Sequence, residues 1–218
     1  ASKWDAVWEE NLPVLPASFS VWDWGCGTGV ATETLAAASP GRLQRAWVSD
    51  HSPLARRYAA EKLVALGIAT EELTEGRPNE PYWLLVSHVW NELSAAGRKA
   101  FWHAINGAEG FLWVEPGTPP LGAAIVDNRE LLRKTFSLLA PCPHQQRCGL
   151  LDTVSDWCHH FAPPDPSVFT TAHWSRFAQE LGIDLRSLPV SYLVGHRDFP
   201  VAEVLGGRML GRPRVSKA

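Results

Sequence analysis

The sequence has no long apolar run and no large excess of charge of one sign. Of its 218 residues, 45% are hydrophobic and 20% are charged, and no stretch approaches the roughly 18 apolar residues that a membrane span needs. The first residues, ASKWDAVWEENLPVL, lack the basic region and continuous apolar stretch of a secretory signal. These absences predict a soluble cytoplasmic protein without a membrane partner, whose four cysteines stay reduced.

The formal net charge of −3 is not typical of a nucleic-acid-binding protein. The charge is nevertheless uneven: residues 195–218 hold five basic and two acidic residues, a net of +3, which leaves −6 for the rest of the chain. This basic tail is either a solvated terminus or an arm that contacts phosphate through Arg208, Arg212 and Arg214.

Strand-like and helix-like segments alternate along the chain. The strand-like segments are FSVWDWG, RAWVSD, YWLLVSH, FLWVEPGTPP and PVSYLVG, and the helix-like ones are VATETLAAA, HSPLARRYAAEKLVALG, NELSAAGRKAFWHAI, AAIVDNRELLRKTFSLL and TAHWSRFAQELG. The polar stretch 68–81 makes a third strand doubtful there. The pattern predicts one α/β domain over residues 1–218, a doubly wound, mostly parallel sheet with a Cys/His-rich insertion at about 140–166.

A glycine-rich loop follows the first strand. Its spacing, Asp23-x-Gly25-x-Gly27-x-Gly29, differs from the G-x-G-x-x-G of nicotinamide enzymes. Asp50 ends the next strand, where folds that bind dinucleotides or adenosyl cofactors place an acid that accepts the ribose hydroxyls. A tight turn without a ligand would explain the glycines, and a helix-capping role would explain Asp50, but neither explains the whole set.

This loop resembles motif I of the class I methyltransferases, which have a Rossmann-like fold and bind S-adenosylmethionine. The resemblance implies that the loop wraps the methionine end of the cofactor, with Asp23 near its ammonium group. We therefore predict a cofactor site made of Asp23, Gly25, Gly27, Thr28, Gly29, Asp50, His51, Ser87 and His88.

The segment SHVWNEL follows the fourth expected strand, where many methyltransferases contact both cofactor and substrate. It lacks the Asn-Pro-Pro-aromatic run of enzymes that methylate exocyclic amines, and it lacks the cysteine beside proline that cytosine C5 methylation needs. His88 and Asn91 are the remaining catalytic candidates, as a base and a positioning group. A buried histidine that caps a strand explains His88 equally well.

Three cysteines, Cys142, Cys148 and Cys158, lie within 17 residues in a C-x5-C-x9-C pattern interleaved with histidines. Zinc fingers usually pair their ligands more closely. Three thiolates with a fourth ligand fit either a Cys₃His zinc site or a cubane iron–sulfur cluster. Three separate thiols are the alternative, although a proline-rich loop offers little core to bury them.

The motifs WDWGCGTG, SHVWNEL, VEPGTP, APCPHQQRC and DWCHHF, in this order, resemble a family of methyltransferase-like proteins that assemble the small ribosomal subunit. The resemblance implies a four-cysteine [4Fe-4S] cluster, three of whose ligands map onto Cys142, Cys148 and Cys158. Cys26, in the glycine loop, is not a predicted ligand. The family's fourth cysteine follows a basic RPR stretch, whereas this sequence reaches GRPRV at 211–215 and ends at Ala218.

This departure predicts a fragment or a short relative, with the last strand of the sheet missing. The fourth ligand is then His144 or His159, or is lost with the tail. The predicted function is that of a monomeric, S-adenosylmethionine-binding methyltransferase acting on small-subunit ribosomal RNA, in the bacterial cytoplasm or, alternatively, the mitochondrial matrix. Two other hypotheses are an assembly factor that binds the cofactor without methyl transfer and a small-molecule methyltransferase with structural zinc.

Overall fold

A computed structural model describes residues 2–11, 15–153 and 156–199. In these ranges the elements run in the order α1 (Ser2–Asn11), β1 (Phe19–Trp24), α2 (Val30–Ala38), β2 (Leu43–Ser49), α3 (Pro53–Ala65), β3 (Ala69–Glu72), β4 (Trp83–Ser87), α4 (Ala95–Gly107), β5 (Gly110–Pro116), α5 (Pro119–Leu132), β6 (Ser137–Ala140), β7 (His160–Ala162), α6 (Ser167–Thr170), α7 (Ala172–Leu181) and β8 (Leu188–His196). No helix within this part of the chain is long and apolar enough to cross a bilayer.

The strands form one sheet in the order β3-β2-β1-β4-β5-β8-β6, with β7 also paired to β8. Strands β1 to β5 are parallel, whereas β8 runs antiparallel to β5, β6 and β7. Two buried apolar clusters contain residues of alternating orientation from the central strands, such as Val21 and Trp22 of β1. The predicted doubly wound, mostly parallel α/β fold is confirmed.

The helix that follows β2 begins as the sequence predicts. Ser52 is its N-cap, with Oγ accepting a hydrogen bond from the Ala55 amide at 3.3 Å, and Pro53 is its first residue. This start places Asp50 and His51 in the short turn between β2 and α3, at the carboxyl end of the parallel strands. Ligands bind at this edge in open α/β sheets.

The doubtful third strand does form, as β3 (Ala69–Glu72), parallel to β2. Its sequence, ATEE, has no apolar alternation because β3 is an edge strand and most of its side chains are exposed. The ion pair between Arg56 and Glu72, with Nε and Oε2 2.8 Å apart, holds α3 against this edge.

The prediction that the last strand is missing is wrong. The expected helix 123–139 is divided into α5, which already begins at Pro119, and a separate strand β6. Strand β8 contains the PVSYLVG segment and lies between β5 and β6, so the described residues already supply the antiparallel strand. The sequence hides β6 because it has only four residues and its leucines continue the apolar pattern of the preceding helix.

Little regular structure forms in the insertion, whose described residues include a 3₁₀ turn at Gly149–Asp152 and strand β7. Trp157 anchors it by donating its indole N–H to the Gly117 carbonyl at 2.9 Å. Pairing of β7 with β8 attaches the end of the insertion to the sheet.

Candidate functional site

The glycine loop joins β1 to α2 at the carboxyl edge of the sheet. Gly25, Gly27 and Gly29 have φ angles of 74°, 50° and 73°, in the region that favours glycine. A Cβ atom on Gly25 would lie 2.5 Å from a methyl carbon of Val89, so the loop packs directly on the segment after β4. Both features require glycine, because any side chain would strain the backbone or force Val89 away.

Asp50 connects the glycine loop to the start of α3. Its Oδ2 accepts a hydrogen bond from the Gly27 amide at 2.9 Å, and its Oδ1 accepts one from the Ser52 amide at 2.8 Å. Nδ1 of His51 also lies 3.3 Å from Oδ1, so the second lone pair of Oδ2 is the acceptor that these contacts leave available. Asp50 thus organises the loop and also presents an acceptor at its surface.

Asp23 lies beneath the loop and is fully buried. The Thr32 hydroxyl donates to its Oδ2 at 2.7 Å, and its Oδ1 has no hydrogen-bond partner. Burial raises the pKa of Asp23 to about 6, against the opposing effect of the Thr32 hydrogen bond. Oδ1 is therefore a buried acceptor without a partner, and Asp23 is not among the residues that line the cavity beside the loop.

A cavity of about 660 Å³ opens beside these residues. Gly25, Asp50 and His51 of the predicted set line it, together with residues that the sequence did not single out: Trp24, Ser49, Leu73, Thr74, Val89, Glu92, Leu93, Ser94 and Gly97. Several of these residues follow the carboxyl ends of β3 and β4. Leu73 and Thr74 come directly after β3, so the sequence pattern that hides this strand also hides them. Thr28 lies in the loop itself, where its carbonyl accepts a hydrogen bond from the Lys62 ammonium at 3.4 Å.

Ser87 and His88 end β4 beneath helix α1. Trp4 donates its indole N–H to the Ser87 hydroxyl at 3.0 Å, and this hydroxyl lies 3.0 Å from Nδ1 of His88. His88 has a φ of 58°, which is uncommon for a side-chain-bearing residue. Burial lowers the pKa of His88 to about 4, with the nearby Lys3 ammonium acting in the same direction. The imidazole is therefore neutral at physiological pH.

Glu115, at the end of β5, fixes the backbone that follows His88. Its Oε1 accepts hydrogen bonds from the amides of Val89 and Trp90 at 3.2 and 3.0 Å and from the indole of Trp113 at 2.9 Å. Burial raises the pKa of Glu115, although these hydrogen bonds favour its ionised form. Asn91 lies one residue further on, in a 3₁₀ turn, and is exposed. The sequence motif VEPGTP contains Glu115, but only the structure shows that this side chain supports the backbone of Val89 and Trp90 after β4.

A second cavity, of about 780 Å³, brings together the cysteines and histidines of the insertion. Its lining includes Cys142, His144, Cys148, Cys158, His159 and His160, with Ile125, Val126 and Arg129 of α5 and Leu193 of β8. In the described ranges, no three Cys, His, Asp or Glu residues are close enough to hold one metal ion. The three predicted ligands thus share a cavity without forming a ready-made ion site.

The remaining predicted residues are separate from this cavity or lie outside the described part of the chain. Cys26 packs in the glycine loop, where burial and the Asp23 carboxylate raise its thiol pKa well above the usual range. Arg208, Arg212 and Arg214 fall in 200–218, outside the described residues.

The fold is similar to those of solved methyltransferase structures. A putative RNA methyltransferase, PH1948 from Pyrococcus horikoshii, matches with a TM-score of 0.54 at 10% identity, over 89% of this chain and 84% of that one. TrmK from M. capricolum, solved with S-adenosyl-homocysteine, matches with a TM-score of 0.50 at 6% identity, over 91% and 69%. A methyltransferase from Clostridium acetobutylicum has a TM-score of 0.43 at 18% identity, and the match spans 53% of this chain and only 50% of that one.

The likenesses to PH1948 and TrmK, together with the strand order, show the class I methyltransferase fold. No protein with a curated description matches this chain. A family model described as mitochondrial small ribosomal subunit Rsm22 matches residues 15–165, from the start of β1 to the end of the cysteine-rich insertion. Since that match covers well over half of the 218 residues, the chain belongs to the Rsm22 family.

Proposed function

We propose that this protein binds S-adenosylmethionine and methylates small-subunit ribosomal RNA. The observation that carries the proposal is the pair of carboxylates, Asp23 and Asp50, at the carboxyl ends of neighbouring parallel strands, on either side of a loop that only glycine can form. The family's description names the small ribosomal subunit, and two solved proteins with this fold are a putative RNA methyltransferase and TrmK in complex with S-adenosyl-homocysteine.

The two carboxylates suit opposite ends of this cofactor. The unpartnered Oδ1 of Asp23 would accept a hydrogen bond from the ammonium group of the methionine moiety. The second lone pair of Asp50 Oδ2, and that of Oδ1 in place of its contact with the exposed His51, would accept the ribose hydroxyls. The adenine would then occupy the 660 Å³ cavity, next to Leu73 and Val89.

Asp50→Asn tests the ribose contact. The substitution keeps one oxygen but removes the charge, and a hydrogen bond to a charged group contributes about 1.5–3 kcal/mol. We expect S-adenosylhomocysteine to bind about 10- to 100-fold more weakly, measured by calorimetry. Asp127→Asn, an exposed position on α5, is the matched control and should bind like the wild type. Equal affinities of all three proteins would contradict the assignment of Asp50.

A second candidate function is an assembly factor that binds the cofactor without transferring its methyl group. His88 favours it, because a pKa of about 4 makes the imidazole a weak base at neutral pH and suits a hydrogen-bonding role better than proton removal. Incubation of the protein with small subunits and methyl-labelled cofactor separates the two functions. Stoichiometric label in the RNA supports the methyltransferase, and unlabelled RNA despite cofactor binding supports the assembly factor.

RNA contact through the basic tail is part of the proposal. Neutralising Arg208, Arg212 and Arg214 should weaken binding to small-subunit RNA at every sequence and reduce the slope of log K against log salt by about 3, since each phosphate contact contributes about 0.9. Filter binding over a range of salt concentrations measures this slope. An unchanged slope would show that the tail does not contact the RNA.

The proposed compartment is that of the ribosome on which the protein acts, either the bacterial cytoplasm or the mitochondrial matrix.

The cysteine cavity is proposed to hold a [4Fe-4S] cluster, with zinc as the alternative. Soft thiolates are the preferred ligands of both, and Cys142, Cys148 and Cys158 line the same cavity. His144 or His159 is the proposed fourth ligand. When bound, such a group would cross-link the parts of the insertion that carry Cys142, Cys148 and Cys158 to one another, in a cavity walled by α5 and β8.

A further inference from the structure

The segment that carries Cys142 and Cys148 has no regular secondary structure between β6 and the 3₁₀ turn at Gly149–Asp152. Its backbone is held instead by side chains of α5. The guanidinium of Arg129 donates to the carbonyl of His144 at 2.7 Å and to that of Gln146 at 3.0 Å. Arg129 is only 4% exposed, so these hydrogen bonds form away from solvent.

Two neighbours of Arg129 extend this contact along the same segment. Glu130 accepts a hydrogen bond from the Cys148 amide at 3.0 Å through Oε1. Arg133 donates to the Gln145 carbonyl at 3.2 Å and to Oε2 of Glu130 at 2.7 Å. Side chains from the end of α5 and from its C-cap, Arg133, thus bind the backbone from His144 to Cys148, which has no regular secondary structure of its own.

The same three residues place a net positive charge beside the cysteines. Arg129 and Arg133 carry two positive charges, and Glu130 offsets one of them. Arg129 lines the cavity that the three cysteines share, and Asp156 contributes one negative charge to the same lining. Arginine stays protonated even when buried, so the cavity wall has a permanent cation. A metal group bound by three thiolates is anionic, and a buried anion is stabilised by a nearby cation.

We propose that Arg129, supported by Glu130, is a positioning residue that holds the segment between Cys142 and Cys148 against α5, so that both cysteines line the cavity in which an anionic, thiolate-bound metal group would be held. It also compensates the charge of the group once bound. This inference rests on the proposed metal cavity and adds to it a helix outside the cysteine-rich segment. The planar fork of arginine can bridge two carbonyls, which lysine cannot do.

Arg129→Gln and Arg129→Lys test the proposal, with Arg147→Gln as the matched control. Arg147 lies in the same segment, but its side chain is 53% exposed and pairs with Asp152 at the surface. We measure the metal content after anaerobic purification, the rate of metal release to a chelator, and the reaction rates of individual cysteines in the metal-free protein with a thiol reagent, assigned by mass spectrometry.

Arg129→Gln should release its metal about tenfold faster or more, as expected for loss of buried charge-assisted hydrogen bonds. In the metal-free protein, Cys142 and Cys148 should react faster, whereas Cys26 should not. Arg129→Lys keeps the charge and should fall between Arg129→Gln and the wild type. Arg147→Gln should stay within about twofold of the wild type, as surface ion pairs contribute little.

Binding of S-adenosylhomocysteine reports on the fold of each variant. Arg129→Gln with normal cofactor binding but fast metal release supports the positioning role. Normal metal release and normal thiol reactivity in Arg129→Gln overturn it, while the metal site itself stands. Faster reaction of Cys26 together with loss of cofactor binding also overturns it, because the effect would then be general unfolding. A wild-type protein that takes up neither iron nor zinc overturns the metal site and this inference together, without affecting the cofactor proposal.

Discussion

Asp23→Asn is expected to stabilise the cofactor-free protein at neutral pH and to weaken its binding of S-adenosylmethionine by about 100-fold. Both effects have the same origin, a buried carboxylate with one oxygen that has no partner. Without the cofactor the ionised carboxylate destabilises the fold, because burial raises the pKa of Asp23 from 3.8 to about 6. Under the proposed function, the ammonium group of the cofactor would pair with this charge and offset the cost of burying it.

The direction of the pH dependence follows from this raised pKa. In the unfolded chain Asp23 loses its proton near pH 3.8, whereas in the folded protein it keeps the proton up to about pH 6. The Asp23 contribution to the free energy of unfolding therefore falls as pH rises from about 4 to about 6, and it remains low above that. A shift of this size corresponds to about 3 kcal/mol at neutral pH.

Thermal unfolding of the cofactor-free protein between pH 4 and pH 8 measures this contribution. The difference in stability between Asp23→Asn and the wild type should grow through the window from pH 4 to pH 6, and cofactor affinity of the wild type should rise with pH in the same window. Asp127→Asn should show neither effect. A variant that binds the cofactor with wild-type affinity at pH 7 would show that Asp23 does not face the ammonium group.

Cys148→Ser is expected to remove the metal group completely, and so is each of the corresponding changes at Cys142 and Cys158. A serine hydroxyl is not ionised at neutral pH and does not replace a thiolate as a ligand of iron or zinc. The wild type purified without oxygen should show broad visible absorption and contain iron and acid-labile sulfide. The serine variants should be colourless.

Cys26→Ser is the matched control for these variants. Its thiol is buried in the glycine loop and has a strongly raised pKa, so it is protonated at neutral pH. The variant should keep the full iron content. A colourless wild type with one equivalent of zinc would contradict the cluster and favour the zinc alternative. A metal content that persists in all three cysteine variants would contradict the whole site.

The sequence was sufficient for the parts of the fold that depend on local signals. Ser52, Pro53 and the glycine loop determine where β1 and β2 end and where α3 begins, and these boundaries place Asp23 and Asp50 at one edge of the sheet. The position of β8 was predicted as a strand but not as the antiparallel partner of β5 and β6. Its neighbours are set by tertiary packing, which local periodicity does not record.

The residues of the two candidate sites differ in the same way: some are marked by local sequence signals, and others are placed only by tertiary packing. Asp50 could be singled out because its distance from the glycines is constrained by one strand, one helix and one more strand. Arg129 could not, because in the sequence it is one more charged residue on an amphipathic helix, and its 4% exposure results from a loop that folds over it. Glu115 was hidden for a similar reason, since its partners at Val89 and Trp90 come from another strand's loop.

The central position of β8 has a consequence for the order in which the protein folds. During synthesis the cysteine segment leaves the ribosome before β8, yet β8 must insert between β5 and β6 and supplies Leu193 to the cavity wall. Pairing of β8 with β5 joins residues far apart in sequence, such as Pro116 and Val190, and such contacts form more slowly than local ones. The cavity wall is therefore complete only after β8 has joined the sheet, whereas the cysteines that line the cavity precede β8 in the chain.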